Sequence, residues 1–106
     1  KYLWNNCTKS MEQRQLEWSR RSQADRQKIA EFYASEASPF IAEQALLSIK
    51  NAANRIRKNP LNYREGKKLG THEYVMRRFP YIVIYRVTDT KVSIVRILHQ
   101  AMRYFN

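Results

Sequence analysis

Pro80-Tyr81-Ile82-Val83-Ile84-Tyr85-Arg86-Val87-Thr88-Asp89-Thr90-Lys91-Val92-Ser93-Ile94-Val95-Arg96-Ile97-Leu98-His99 holds two runs rich in β-branched and aromatic residues, separated by four polar ones. That composition is a β-hairpin. With Asp89 and Thr90 as the loop, Val87 pairs with Val92 and the pleat sorts the side chains. One face carries Tyr81, Val83, Tyr85, Val87, Val92, Ile94 and Leu98 and is the seat for helices. The other carries Ile82, Ile84, Arg86, Ser93, Val95, Ile97 and His99, a mixed surface suited to solvent or a partner.

Upstream of the hairpin, Glu73 to Arg78 is a third strand, entered through Leu61 to Gly70, which holds both glycines, a proline, Arg64, Lys67 and Lys68. That segment is an exposed basic connection. Before it the hydrophobic period is helical. Ile41, Ala45, Ile49, Ala52 and Ile56 recur every three or four residues behind Ser38-Pro39, an N-cap followed by a proline that sacrifices no hydrogen bond at the first helical position. Asn59-Pro60 ends this helix. An earlier helix runs from about Gln23 to Ser35, started by Ser22 and Asp25 as a capping box and carrying Ile29, Phe32 and Tyr33. The short link between the two enforces an antiparallel hairpin of helices. Gln15 to Ser19 alternates polar and apolar with Leu16 and Trp18 on one side, a short half-buried strand.

The fold class is therefore α+β: an N-terminal strand, an antiparallel helical hairpin, then a three-stranded antiparallel sheet portion with a short C-terminal segment. The 106 residues suit one domain, assigned to 11–106. Residues 1–10, before Met11, are an N-terminal extension or a cloning remnant.

Charge is unevenly placed. Twenty Lys and Arg against nine Asp and Glu give +11, far beyond what solubility needs, and point to a polyanion or an acidic protein partner. Residues 1–49 carry a net +1 and residues 50–106 a net +10. Cys7 is the only cysteine, which excludes a disulfide-stapled secreted fold and fits a reducing cytoplasm. The longest uninterrupted apolar run, Tyr81 to Tyr85, is far short of the ~20 residues that span a bilayer, so no membrane partner is expected. His72, His99 and Cys7 make no spaced ligand set, and no glycine-rich phosphate loop, nucleophile elbow or EF-hand pattern occurs, so neither metal nor cofactor is expected. Tyr33, Tyr81 and Tyr85 lie at core spacing.

Three strings together, Gly70-Thr71-His72-Glu73, Arg78-Phe79-Pro80-Tyr81-Ile82-Val83-Ile84-Tyr85-Arg86-Val87 and Val92-Ser93-Ile94-Val95-Arg96-Ile97-Leu98-His99, resemble the C-terminal half of the RelE/ParE toxin superfamily, and the ParE branch most. The resemblance spans Glu12 to Tyr104. It implies a small cytoplasmic toxin, plasmid- or chromosome-encoded and of the plasmid-stabilisation type, held silent by an acidic ParD-like antitoxin. Two targets are open within the superfamily. RelE-like members cleave messenger RNA on the ribosome, whereas ParE-like members poison DNA gyrase and have no known hydrolytic chemistry.

RNA cleavage needs a base, an acid and a cation at the phosphorane; His99, Arg103 and Tyr104 are the candidates for those roles. In the RelE-like nucleases an arginine follows the tyrosine that aligns with Tyr81, and here Ile82 stands there. Other superfamily nucleases use an adjacent His-Tyr pair, whereas four residues separate His99 from Tyr104. These departures favour a gyrase-directed toxin, which needs arginine anchors and no catalytic geometry: Arg77, Arg78, Arg86, Arg96 and Arg103. Where the ParE pattern reads Gly-Thr-Arg-Glu, His72 replaces the arginine and Glu73 matches. The antitoxin is expected to lay a helix or strand along the helical groove and sheet edge, touching Ile41, Ala45, Arg55, Lys67 and Lys68.

Overall fold

The computed structural model describes residues 14–101. Residues 1–10, Cys7, Met11, Arg103 and Tyr104 lie outside the described residues. The chain runs β1 (Gln15–Trp18), α1 (Arg20–Glu36), α2 (Pro39–Lys58), a 3-10 turn (Pro60–Asn62), β2 (His72–Val75), β3 (Tyr81–Val87) and β4 (Lys91–His99). Its α+β sheet has four strands in the order β1-β4-β3-β2. The three C-terminal strands are antiparallel to one another, and β1 adds to β4 in parallel, Leu16 opposite Val92 and Trp18 opposite Ile94. No helix among the described residues is long and apolar enough to cross a membrane.

The second helix starts and stops where its sequence punctuation places it. Ser38 accepts the Ile41 N–H at 3.2 Å, Pro39 takes the first position, and Asn59 closes the last turn on Arg55. The first helix starts earlier than the Ser22–Asp25 reading. Its cap is Ser19, whose Oγ accepts the Ser22 N–H at 3.0 Å. Ser22 is wholly buried and donates its own hydroxyl back to the Ser19 carbonyl. β2 also ends sooner than the expected strand, at Val75, and Met76 to Pro80 form the connection to β3.

Val87 does pair with Val92, but the hairpin is not regular. Tyr85 faces Ile94 and Ile84 faces Arg96, so Val95 is an extra residue in β4, a β-bulge. Past the bulge every side chain of β4 changes face. Ile97, opposite Val83, joins the core under the helices, and Leu98, opposite Ile82, goes to the other side. The uniform alternation expected across the hairpin is thus corrected for Ile97, Leu98 and His99.

Local chemistry holds the bulge in place. β1 accompanies β4 only as far as Ile94, and beyond it the backbone of β4 would be left without a partner on that side. The start of α1 takes over. Ser19 N–H donates to the Ile94 carbonyl (2.9 Å), Ser19 Oγ donates to the Val95 carbonyl (2.7 Å), and the Asp25 carboxylate accepts the Ile97 N–H (3.0 Å) while clasping Arg96 through Nε (2.8 Å) and Nη2 (3.2 Å). Asp25 therefore serves β4 and not the cap of its own helix.

The core lies between the helices and one face of the sheet: Ile29 from α1, Ala45, Ile49, Ala52, Ala53 and Ile56 from α2, and Tyr81, Val83, Tyr85, Val92, Ile94 and Ile97 from the sheet. Tyr85 is fully buried and its hydroxyl donates to the Pro60 carbonyl, which satisfies a phenol that burial would otherwise penalise. Tyr33 packs edge-on to Phe79 and Tyr81, as its core spacing required, whereas Phe32 is 53% exposed.

Candidate functional site

The sheet face away from the helices bears a hollow of about 200 Å³, lined by Arg21, Lys67, Lys68, Thr71, Glu73, Ile84, Arg86, Val95, Arg96 and Leu98. Each element has a local reason to be there. The bulge brings Val95 and Arg96 to this side, and Asp25 fixes the Arg96 guanidinium from behind, a bond that raises its already high pKa. Lys67 and Lys68 come from a tight turn. Gly66 N–H donates to the Thr71 carbonyl at 2.8 Å, and Thr71 donates its hydroxyl (2.6 Å) and its N–H (3.1 Å) to the Lys68 carbonyl. A Cβ on Gly66 would sit 2.3 Å from Thr71 Oγ1, so only glycine closes this turn, and Gly70 follows with a positive φ of 82°.

The floor is aliphatic and the rim cationic. Glu73 is buried and lies beneath the rim, with its Oε1 on Arg64 Nε at 3.0 Å. Arg86 is exposed and reaches toward the Leu69 carbonyl at 3.4 Å. Arg21 was not among the residues read from sequence. It had a signal, since Arg20 and Arg21 open α1, where the helix dipole disfavours cations and no acidic residue offsets them. Arginines at that end of a helix serve something other than the helix.

Of the arginines named as target anchors, Arg86 and Arg96 share this hollow, and Arg96 is the less exposed of the two, tied to Asp25. Arg77 and Arg78 lie elsewhere, in the β2–β3 connection, where they flank Arg55, Ser48 and Tyr74. Arg103 lies outside the described residues. The residues named for the antitoxin are also divided. Lys67 and Lys68 belong to the cationic hollow, Arg55 to the Arg77 side, and Ile41 is half-buried against the core. Ala45 is 1% exposed beneath α2 and presents nothing to a partner.

His99 is separated from the cations of this hollow. The bulge returns it to the helix side of the hairpin, opposite Tyr81, where its ring meets the phenol edge-on at 5.5 Å and its Nδ1 accepts the Ala101 N–H at 3.1 Å. It lines a different hollow with Arg64, Val75, Pro80 and Ile82. Tyr81 itself is pushed up to about 12, by burial first and then by Tyr33. His72 also faces the helices, stacked on Tyr85 at 5.4 Å, so the position that departs from the Gly-Thr-Arg-Glu pattern does not point into the cationic hollow.

On the helix side of the sheet, a groove of about 630 Å³ runs between β1 and the helical hairpin, lined by Leu16, Trp18, Arg26, Ala30, Leu46 and Ala53 among others. The Arg26 guanidinium covers the Trp18 ring at 4.3 Å. Phe32, Phe40, Leu46 and Leu47 leave large apolar surface exposed on the two helices. Sequence periodicity placed Phe32 on the apolar stripe of the first helix, where it is instead exposed, and did not single out Phe40, Leu46 and Leu47, which lie off the main seam.

Against known proteins, the chain matches over residues 16–104 the sequence model of the ParE toxin of the type II toxin–antitoxin system parDE. Solved structures share its fold, two of which are toxin–antitoxin complexes. The chromosomal ParDE toxin–antitoxin system from P. aeruginosa superposes with a TM-score of 0.75 at 21% identity, covering 83% of this chain and 97% of that one. The RelBE toxin–antitoxin complex from Mycobacterium tuberculosis gives a TM-score of 0.55 at 22% identity, covering 83% and 92%. No curated protein sequence matches. With the family pattern running from β1 through β4, on the strand, helical hairpin and bulged sheet described above, the chain belongs to the ParE toxin family of type II toxin–antitoxin systems.

Proposed function

We propose that this toxin acts by binding DNA gyrase and that a ParD-like antitoxin neutralises it. The observation that carries the reading is the sorting of side chains by the β4 bulge. The hollow collects Arg21, Lys67, Lys68, Arg86 and Arg96, while the imidazole that strand alternation would have placed on the same face as Arg86 is turned to the other. Transesterification of RNA needs a proton acceptor and donor within hydrogen-bond reach of the phosphate that the cations hold. Within this hollow the titratable oxygen belongs to Glu73, already engaged by Arg64. Ile82, where the RelE-like nucleases carry an arginine, is 1% exposed. A cationic surface of this kind serves recognition of a protein–DNA assembly, with arginines as multidentate anchors.

The antitoxin reading rests on the groove beside β1. It joins an outer strand to exposed apolar helix surface, the combination that takes an amphipathic helix followed by an added strand. Phe40, Leu46 and Leu47 supply its apolar contacts, and Arg26 and Lys50 beside the groove the contacts to acidic groups. Expression of the chain alone should arrest growth, and co-expression of the acidic protein encoded beside it should restore growth. Purified chain should inhibit supercoiling of relaxed plasmid by gyrase. Growth arrest with unimpaired gyrase would sink the proposed target, and failure of the neighbouring gene product to bind would sink the partner.

A further inference from the structure

We infer that the cationic hollow and the arginines along β2 form one band that holds the phosphodiester backbone of double-stranded DNA directly. The inference adds a ligand to the reading above and does not rest on gyrase being the target. Continuity comes from shared walls. Glu73 lines both the hollow and a second one at the outer edge of β2, which carries Arg55, Arg64 and Arg77. Arg55 and Arg77 line in turn a third, which adds Arg78. Cations thus follow one another from the start of α1, across the open sheet face, to the β2–β3 connection. A repeating polyanion fits such a band better than a single anion does.

The chemistry of the walls selects the backbone over the bases. The first hollow has no aromatic residue, and the aromatic pair of the second, Tyr63 and Tyr74, stands edge-on at 4.8 Å and 84°, each ring occupied by the other. Single strands are held by stacking platforms, which these walls do not supply, whereas duplex DNA presents phosphates and needs only donors. An acidic peptide is a poorer fit. Peptides gain affinity from sheet-edge pairing and apolar anchors, yet the first hollow lies on the face of the sheet, where no strand edge is offered, and its only aliphatic residues are the half-buried Ile84 and Val95 and the buried Leu98. Arg21 supports a polyanion independently, since it stands at the helix end that repels cations.

The test is fluorescence anisotropy of the full chain with a ~20-base-pair DNA duplex across a salt series. With about five phosphates engaged, log K should fall with log salt at a slope of about −4.5, roughly 500-fold between ~50 and ~200 mM. Arg86→Gln, which keeps a donor for Leu69, and Lys68→Ala should each flatten the slope by about 0.9. Lys28→Ala, exposed on α1 and lining none of these hollows, should leave it unchanged. Circular dichroism confirms that the variants fold. Absence of duplex binding at ~50 mM salt, equal slopes for all three variants, or tighter binding of single-stranded RNA or polyglutamate of equal charge would each overturn the inference.

Discussion

Replacing Asp25 with alanine tests how the open part of β4 is held. Asp25 makes three charge-assisted hydrogen bonds, to Arg96 Nε, Arg96 Nη2 and the Ile97 N–H. The carboxylate is 13% exposed and the guanidinium 21%. An exposed ion pair contributes roughly 0–1 kcal/mol and removing one member of a buried pair costs roughly 3–5. This pair is nearer the buried limit, and Asp25→Ala also strips a backbone N–H of its acceptor, so we expect a loss of about 3 kcal/mol. At about 4 °C per kcal/mol for a domain of this size, the melting midpoint should fall by about 12 °C. Asp25→Asn keeps an acceptor for Ile97 and loses the charge, so it should cost about half as much. Thermal and urea unfolding by circular dichroism measure both. The comparison is Glu17→Ala, which removes the exposed pair with Lys91 at 3.1 Å and should leave the midpoint within error. If Asp25→Ala behaved like Glu17→Ala, α1 would not be what secures β4 beyond its bulge.

Other perturbations have equally definite outcomes. Tyr85→Phe strands the Pro60 carbonyl inside the core and should destabilise by about 1.5 kcal/mol in urea denaturation. Burial raises the pKa of Tyr81 to about 12 and raises that of Tyr85 further. The native state therefore holds protons that the unfolded chain releases from about pH 10. Stability should be fully retained below that pH and lost progressively above it, with phenolate absorbance rising together with unfolding. Ionisation of both phenols at pH 10 in a folded chain would contradict this. Glu17 is lowered by its hydrogen bond to Lys91 and then by Ser93, but it is exposed, so the stability it contributes, present above the ordinary Glu range and lost as pH falls through it, is too small to move the melting midpoint. A chemical-shift titration should show its midpoint below that of a free glutamate. Gly66→Ala drives a methyl into Thr71 Oγ1, so it should cost about 1–2 kcal/mol and shift the amide resonances of Lys67 to Thr71.

Much of the architecture is legible in the chain because local signals and tertiary packing agree there. Ser38-Pro39, the seam from Ile41 to Ile56, and the Val87–Val92 pairing each follow from short-range chemistry that the fold does not override. The bulge is different. Nothing in Ile94-Val95-Arg96 distinguishes an extra residue from a regular strand, since the stabilising groups, the Ser19 hydroxyl and the Asp25 carboxylate, lie some seventy positions away. That one residue decides which of Arg96, Ile97, Leu98 and His99 face the cations. Asp25 looked like a capping residue because its spacing from Ser22 fits one, and tertiary demand for an acceptor at Ile97 prevailed. The cationic hollow was half legible: Arg86, Arg96, Lys67 and Lys68 stood out as basic residues in the basic half, while Arg21, from the nearly neutral half, is brought to them only by the folding of β1 against β4.

The account turns on whether the cations of the open sheet face bind or cleave. The decisive measurement is made at a single toxin concentration, one that halves gyrase supercoiling. At that concentration, ribosome-bound messenger RNA is incubated with the chain and its 5′ ends are mapped. Intact message alongside inhibited gyrase is the expected outcome. New 5′ ends that vanish in His99→Ala, with gyrase unaffected, would contradict the account.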